Sequence, residues 1–328
     1  MSRLLAIGGR PRPPAGVAAG APRTEGRVAC SVVDGLEHPA RLTVGVVGAG
    51  RVGAVLGAAL GRAGHRVTGA SAVSEASRER AAALLPGVPV ADVPTVVAGA
   101  ELVLLAVPDD ALPGLVAGLS STGAWQAGQI VLHTSGRHGT AVLDPVRAHH
   151  ALPLALHPAM TFTGTPMDLD RLAECAFGVT ADEPLRPVAE ALVLEMGGSP
   201  VWVAEVDRVA YHCGLAHGAN HLVTLTAEAL QVLARAGVAE PRALLGPLMH
   251  AALDNALRMG DAALTGPVAR GDAGTVRDHL RELDRLAPEI RRTYVALARA
   301  TALRALDDGR LRPDDAAALL DILADQER

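Results

Sequence analysis

The stretch Leu42-Thr43-Val44-Gly45-Val46-Val47-Gly48-Ala49-Gly50-Arg51-Val52-Gly53 decides the fold. A short apolar run, rich in β-branched residues, ends directly in glycines spaced Gly-x-Gly-x-x-Gly. An apolar helical period (Val52, Val55, Leu56, Ala59, Leu60) follows until Gly64 stops it. The pattern predicts strand, tight turn and helix. The three glycines serve different ends. Gly48 makes the turn, Gly50 lets a pyrophosphate approach the backbone, and Gly53 lets helix and strand pack closely. The phosphates would rest on unpaired N–H groups at the positive helix end, offered by Ala49, Gly50, Arg51 and Val52. The Gly8-Gly9 pair has no such flanks and predicts nothing.

The strand that follows, His65 to Ser71, tests which dinucleotide fits. NAD-selective folds of this kind end it in an Asp or Glu that holds the ribose 2′-hydroxyl. Here Ala70-Ser71 stand there, with Ser74, Arg78 and Arg80 just beyond. Hydroxyl and guanidinium groups suit a 2′-phosphate, so Ser71 and Arg78 point to NADP. Further strands are predicted at 88–91, 101–107, 130–132, 154–158, 176–180 and 200–203, with helices at 93–99 and 185–196. The run Glu101 to Val107 is apolar throughout, as a strand buried on both faces should be. It opens into Val107-Pro108-Asp109-Asp110, expected to start the next helix and to border the cofactor.

From Val206 onward the sequence turns to long helical periods without strand signals. Breaks are predicted near Gly237, Gly260, Gly271 to Gly274, Pro288 and Gly309. The fold class expected is α/β, a doubly wound, mostly parallel sheet followed by an all-α C-terminal domain. The boundaries read as a disordered leader over 1–40, a cofactor-binding domain over 41–204, and a helical substrate and dimerisation domain over 205–328. The leader is rich in Gly, Pro, Ala and Arg and shows no sustained period.

Composition narrows the function. The 328 residues are 49% hydrophobic, 20% charged and only 2% aromatic, with a net charge of −5. There is room for about two domains. No basic tract recommends nucleic acid as a partner, and no apolar run reaches membrane-spanning length. All 30 basic residues are arginine, so no lysine ammonium is available to any mechanism. Cys30, Cys175 and Cys213 are few, scattered and without a C-x-x-C pair, as expected of reduced thiols in the cytoplasm.

Together Gly48 to Gly53, Ala106-Val-Pro-Asp-Asp110, His133-Thr-Ser-Gly136, Leu156-His-Pro158 and Leu264-Thr-Gly-Pro-Val-Ala-Arg-Gly-Asp272 resemble the bacterial Rossmann-like proteins with a helical "domain of unknown function 2520". The match runs over about 41–325. More distantly the chain is similar to the 6-phosphogluconate dehydrogenase-like superfamily, which includes ketopantoate reductase, pyrroline-5-carboxylate reductase and the β-hydroxyacid dehydrogenases. The resemblance implies dimerisation through the helical domain and an active site between the domains. Ketopantoate reductases and β-hydroxyacid dehydrogenases use a Lys followed four residues later by Asn; Asn220 fits the Asn, but Ala216 stands in the Lys place. Pyrroline-5-carboxylate reductase works without such a lysine.

The segment Tyr211-His212-Cys213-Gly214-Leu215-Ala216-His217-Gly218-Ala219-Asn220-His221 is densest in functional groups. At about 100° per residue, His217, Asn220 and Thr224 share one face. A His can protonate a nascent alkoxide or amine near neutral pH, which makes His217 the first candidate donor and His157 the second. A hydrogen-bonded polar seam between helices is the plainer reading. His217-x-x-x-His221 has metal-ligand spacing but no third ligand, and no metal is expected. Ser135 and Gly136 are candidates for a substrate carboxylate, as is Arg270 in its Gly-bounded loop, where an ion pair with Asp272 is the alternative. The expectation is an NADPH-dependent reductase of a small, ketopantoate-like carbonyl acid. The alternatives are a pyrroline-5-carboxylate-type imine reductase and a catalytically silent NADP-binding sensor or scaffold.

Overall fold

A computed structural model describes residues 41–324; the expected leader, 1–40, lies outside the described residues. The opening stretch forms β1 (Thr43–Val47) and α1 (Arg51–Arg62). The remaining strands are β2 (Arg66–Ser71), β3 (Leu102–Leu105), β4 (Ile130–His133), β5 (Leu152–Pro158), β6 (Ala176–Ala181) and β7 (Ser199–Trp202). They make one seven-stranded sheet in the order β2-β1-β3-β4-β5-β6-β7. Every neighbouring pair is parallel except β5 and β6.

Helices α2 (Glu75–Leu84), α3 (Val93–Ala98), α4 (Leu112–Ser121), α5 (Asp144–Arg147), α6 (Met167–Arg171) and α7 (Arg186–Glu195) connect the strands. Alternate residues of the central strands face opposite layers. Val44, Val46, Leu102, Leu104 and Leu132 pack with Leu56 and Leu60 of α1 and with Leu192 and Val193 of α7. Val47, Val103, Leu105 and Val131 pack on the other face with Val96, Val97, Leu112 and Val116. Each such side chain contributes about 1.5–3 kcal/mol of burial, which is why these strands are apolar throughout.

Two local expectations are revised. The segment 88–91 is no strand but a single bridge, Ala70 to Val90, because Pro89 has no N–H to continue a ladder. Pro108-Asp109-Asp110 do not start a helix. The Pro108 carbonyl accepts from the N–H groups of Ala111 and Leu112, which closes a turn, and α4 begins with no acid in its first turn.

After β7 the chain is helical: α8 (Arg208–Arg235), α9 (Pro241–Met259), α10 (Gly266–Arg270), α11 (Ala273–Leu286), α12 (Arg291–Asp307) and α13 (Pro313–Ala324). Val268, Val276, Leu280, Ala302, Leu319 and Leu323 form the core of α10 to α13. By contrast α8 buries only Arg208, and α9 buries nothing. Among the described residues no helix is long and apolar enough to cross a membrane.

Candidate functional site

The strand order sets the first half of the site. From β1 the chain goes to β2 on one side and then to β3 on the other, so a crevice opens at the carboxyl ends of β1 and β3. The glycine turn lies there, and its three glycines differ. Gly48 has φ +94°, and a Cβ on it would lie 2.6 Å from the Ala106 carbonyl oxygen. A Cβ on Gly53 would lie 2.1 Å from the Gly48 carbonyl oxygen, whereas one on Gly50 would meet nothing within 4 Å. Gly48 and Gly53 are therefore fixed by packing, and the space over Gly50 is open. No side chain caps α1 and no acid occupies its first turn, which leaves its N–H groups for an anion. An open cradle over unpaired donors fits a pyrophosphate. Val107 packs beside Gly48, with Pro108 exposed next to it.

At the end of β2, Ser71 is buried and its hydroxyl accepts from the Gly48 N–H at 3.0 Å. The Ser71 carbonyl accepts from the Ala49 N–H at 2.8 Å, so Ala49 is not one of the unpaired donors expected for the phosphates. Ser71 therefore holds the turn in shape, its hydroxyl oxygen accepting from the Gly48 N–H. Arg78 is exposed on α2. No carboxylate stands between Ala70 and Ser74.

The second half of the site is a cleft of about 480 Å³ that joins this turn to α8. Arg51 and Val52 of α1, His157 at the end of β5, Phe162, and His212, Ala216 and Asn220 of α8 line it. The structure thus brings His157 and Asn220 together with the glycine turn. Ala216, in the Lys place of the resembled reductases, faces the same space. His217 does not line it. Its Nδ1 is 2.7 Å from that of His221, the rings meet edge-on at 4.7 Å, and both residues are exposed. The cleft takes the helix face of residues 212, 216 and 219, and His217 lies about 100° round from Ala216. Thr224 is also exposed, its hydroxyl bonded to the Asn220 carbonyl at 3.4 Å.

The groups expected to hold a carboxylate are engaged elsewhere. The Ser135 hydroxyl accepts from the His138 N–H at 3.2 Å, and Ser135 is buried. Gly136 leaves room for two imidazoles, since a Cβ there would lie 2.5 Å from His212 Cδ2 and 3.0 Å from His157 Nε2. Arg270 donates to Asp272 at 2.9 Å as an exposed ion pair and does not line the cleft. No cluster of three metal-ligating side chains exists among the described residues.

Three residues not singled out from the sequence complete the site: Tyr211, His212 and Arg208. The Tyr211 hydroxyl lies 2.8 Å from His157 Nδ1, and the His212 ring stands edge-on to His157 at 5.9 Å. Burial, with His212 and the Arg208 guanidinium nearby, pushes the His157 pKa down to about 4, against the opposing pull of Asp109. His157 is therefore a neutral imidazole at physiological pH. Burial also raises the Tyr211 pKa above its ordinary value. The density of polar residues in α8 flagged the helix, but which turn faced the strands depended on pairing between β5 and β6.

Residues 29–158 match the Rossmann-like domain family, and residues 175–301 match the family described as "Domain of unknown function (DUF2520)". The chain carries a Rossmann-like domain followed by a DUF2520 domain. No curated protein matches it. Among solved structures, a Bacteroides fragilis protein provisionally described as an NADP oxidoreductase aligns with a TM-score of 0.67 at 21% identity, over 80% of this chain and 98% of its own. An imine reductase from Pseudomonas sp. aligns with a TM-score of 0.60 at 18% identity, over 87% and 100%. An imine reductase from Myxococcus stipitatus in complex with NADP+ aligns with a TM-score of 0.56 at 21% identity, over 82% and 93%. At these identities the likeness is one of fold.

Proposed function

We propose that the chain is an NADPH-dependent oxidoreductase that reduces a carbon–nitrogen or carbon–oxygen double bond of a small molecule. The dinucleotide lies on Gly48 to Gly53, in a cofactor-binding domain over 41–204, and the substrate lies against the helical domain over 205–328. The observation that carries this reading is the cleft itself, which runs from Arg51 and Val52 to His157 and Asn220. The NADP+ complex of the Myxococcus stipitatus imine reductase, on a similar fold, supports the choice of cofactor.

When bound, the nicotinamide supplies the hydride for the substrate carbon. The chain's residues bind and orient. Val107 and Pro108 would border the nicotinamide, Arg78 would hold the 2′-phosphate, and Asn220 would polarise the double bond. His157 offers a hydrogen bond as a neutral imidazole, held at Nδ1 by Tyr211. This favours an imine over the ketopantoate-like acid. An iminium arrives already protonated and needs only hydride, whereas a ketone also needs a proton on oxygen, which a neutral imidazole gives up poorly. The side chains expected to grip an acid, Ser135 and Arg270, are engaged away from the cleft.

NADPH oxidation measured across cyclic imines and 2-oxo acids tests this, with imines expected to turn over faster. His157→Gln, which still offers a neutral hydrogen bond, should lower turnover of ketone and iminium alike by less than about tenfold; a loss of about 10²-fold or more would instead make His157 a proton donor. His217→Gln should leave both unchanged. NADPH binding without turnover of any substrate would instead support the silent sensor.

A further inference from the structure

Arg208 is the one residue buried by α8, at 1% exposure. Its Nε donates to the Thr180 hydroxyl at 2.7 Å, and Nη2 donates to the carbonyls of Ala155 and Gly178 at 3.1 Å each. The Thr180 hydroxyl in turn donates to the Val203 carbonyl at 2.6 Å. Nη1 is buried with no hydrogen-bond partner. Glu205 acts on the guanidinium through its charge, without a direct ion pair. A buried cation in this state is expensive to desolvate, and an apolar side chain would often serve stability as well. Such an arrangement calls for a purpose beyond packing.

The bonds converge on one place. Ala155 is two residues before His157 on β5, and Gly178 is the residue paired with His157 across the antiparallel junction. One turn beyond Arg208, Tyr211 sets its hydroxyl 2.8 Å from His157 Nδ1, with its ring 5.8 Å from the guanidinium carbon. A Cβ on Gly178 would lie 2.4 Å from the Tyr211 hydroxyl oxygen, so the strand is bare where the ring enters. Helix, two strands and phenol are thus tied through a single guanidinium.

We propose that Arg208 is a positioning residue for the cleft: it fixes the start of α8 on β5 and β6, so that the Tyr211 hydroxyl stays on His157, and it keeps a permanent positive charge beside that ring. The proposal rests on the reading of the His157 cleft as the reactive site. Groups that bear on His157 are Arg208, Tyr211 and His212 of α8, Asp109 after β3, and Arg51 at the start of α1. Against the pull of Asp109, the charge on Arg208 resists protonation of His157.

The test compares Arg208→Gln and Arg208→Lys in the full chain. The His157 ring is titrated by NMR, and turnover is measured on a responsive imine. Arg208→Gln should raise the His157 midpoint by about one pH unit, the size expected for loss of a nearby like charge. Arg208→Lys keeps the charge and should leave the midpoint unmoved, while its loss of the fork lowers turnover about tenfold or more. A purely structural strap would lower melting temperature in both and leave the midpoint where it was in the folded protein; that result overturns the proposal. Should Arg208→Gln fail to fold, Thr180→Val removes the Nε acceptor, together with the hydroxyl's own bond to the Val203 carbonyl, and leaves the guanidinium and its bonds to β5 and β6 in place. It should weaken the NMR contacts between Tyr211 and His157, and unchanged contacts would overturn the anchoring role. Neither NMR readout needs a substrate, so absence of turnover would fault the reductase reading and not this one.

Discussion

Gly50 and Gly53 are three residues apart, yet an added methyl group would have different consequences at each. At Gly53 it would lie 2.1 Å from the Gly48 carbonyl oxygen and 2.9 Å from the Ala106 Cβ, contacts that backbone cannot relieve without moving. Gly53→Ala should therefore destabilise the fold by about 1–3 kcal/mol, the usual range for overpacking. At Gly50 the methyl group meets nothing within 4 Å, so folding should be indifferent to it. The same methyl group would occupy the space through which a pyrophosphate reaches the helix N–H groups. Gly50→Ala should leave the melting temperature nearly unchanged and weaken NADPH binding about tenfold or more, a change of about 1.4 kcal/mol or greater. Thermal denaturation and calorimetric titration of the two variants separate the roles. Equal loss of stability in both would show that the turn is fixed by packing alone.

At the scale of elements, the segment after β2 carries the cofactor preference. With the Ser71 hydroxyl bound to the Gly48 N–H, discrimination passes to α2. Arg78→Ala should weaken NADPH by roughly 10- to 150-fold, the worth of one charge-assisted hydrogen bond, and leave NADH unaffected. Ser71→Ala should weaken both cofactors together, because it releases the turn and not a phosphate. Titration of both dinucleotides into both variants reads this directly; equal losses in Arg78→Ala would remove the 2′-phosphate assignment. The elements themselves were legible because their causes are local. Apolar runs marked β3 and β4, and Gly237, Gly260, Gly271 and Gly309, all with positive φ, ended α8, α9, α10 and α12. The working face of α8 was not legible in this way. Tyr211 meets His157 across 54 residues, and Arg208 meets Ala155 across 53, through the antiparallel pairing of β6. Periodicity shows that residues share a face and not which face is used. The part that Ser71 plays in the turn was not legible for a related reason, since its bond to Gly48 spans 23 residues.

For the whole molecule, two properties follow from what is exposed and what is buried. α8 and α9 leave Val223, Leu244, Leu248 and Leu257 at 59–80% exposure, a surface suited to a second copy of the chain. A homodimer is the expected state in light scattering at micromolar concentration, and Leu248→Glu with Leu257→Glu should yield a monomer. The buried histidines govern the response to acid. His133 is fully buried, its Nδ1 accepting from the Ser135 N–H at 3.1 Å and its Nε2 lying 2.8 Å from the Gly139 carbonyl oxygen. Burial pushes its pKa down to about 4, although the Gly139 carbonyl and Asp109 favour the charged form. Protonation would also place a hydrogen on the nitrogen that the Ser135 N–H already uses. In the unfolded chain a histidine takes its proton near pH 6.5. Between about pH 6.5 and 4 the unfolded state therefore binds more protons than the native one, and stability must fall as pH falls through that window. For His133 the loss reaches on the order of 3 kcal/mol at the acid end, with a comparable share from His157, whose pKa is held equally low. Urea denaturation should show stability flat above pH 7 and declining steadily from pH 6.5 to 4.5. His133→Asn should be less stable at pH 7, where its hydrogen bonds are disturbed, yet show a shallower slope across the acid window. An unchanged slope in that variant would assign the acid sensitivity to the carboxylates instead.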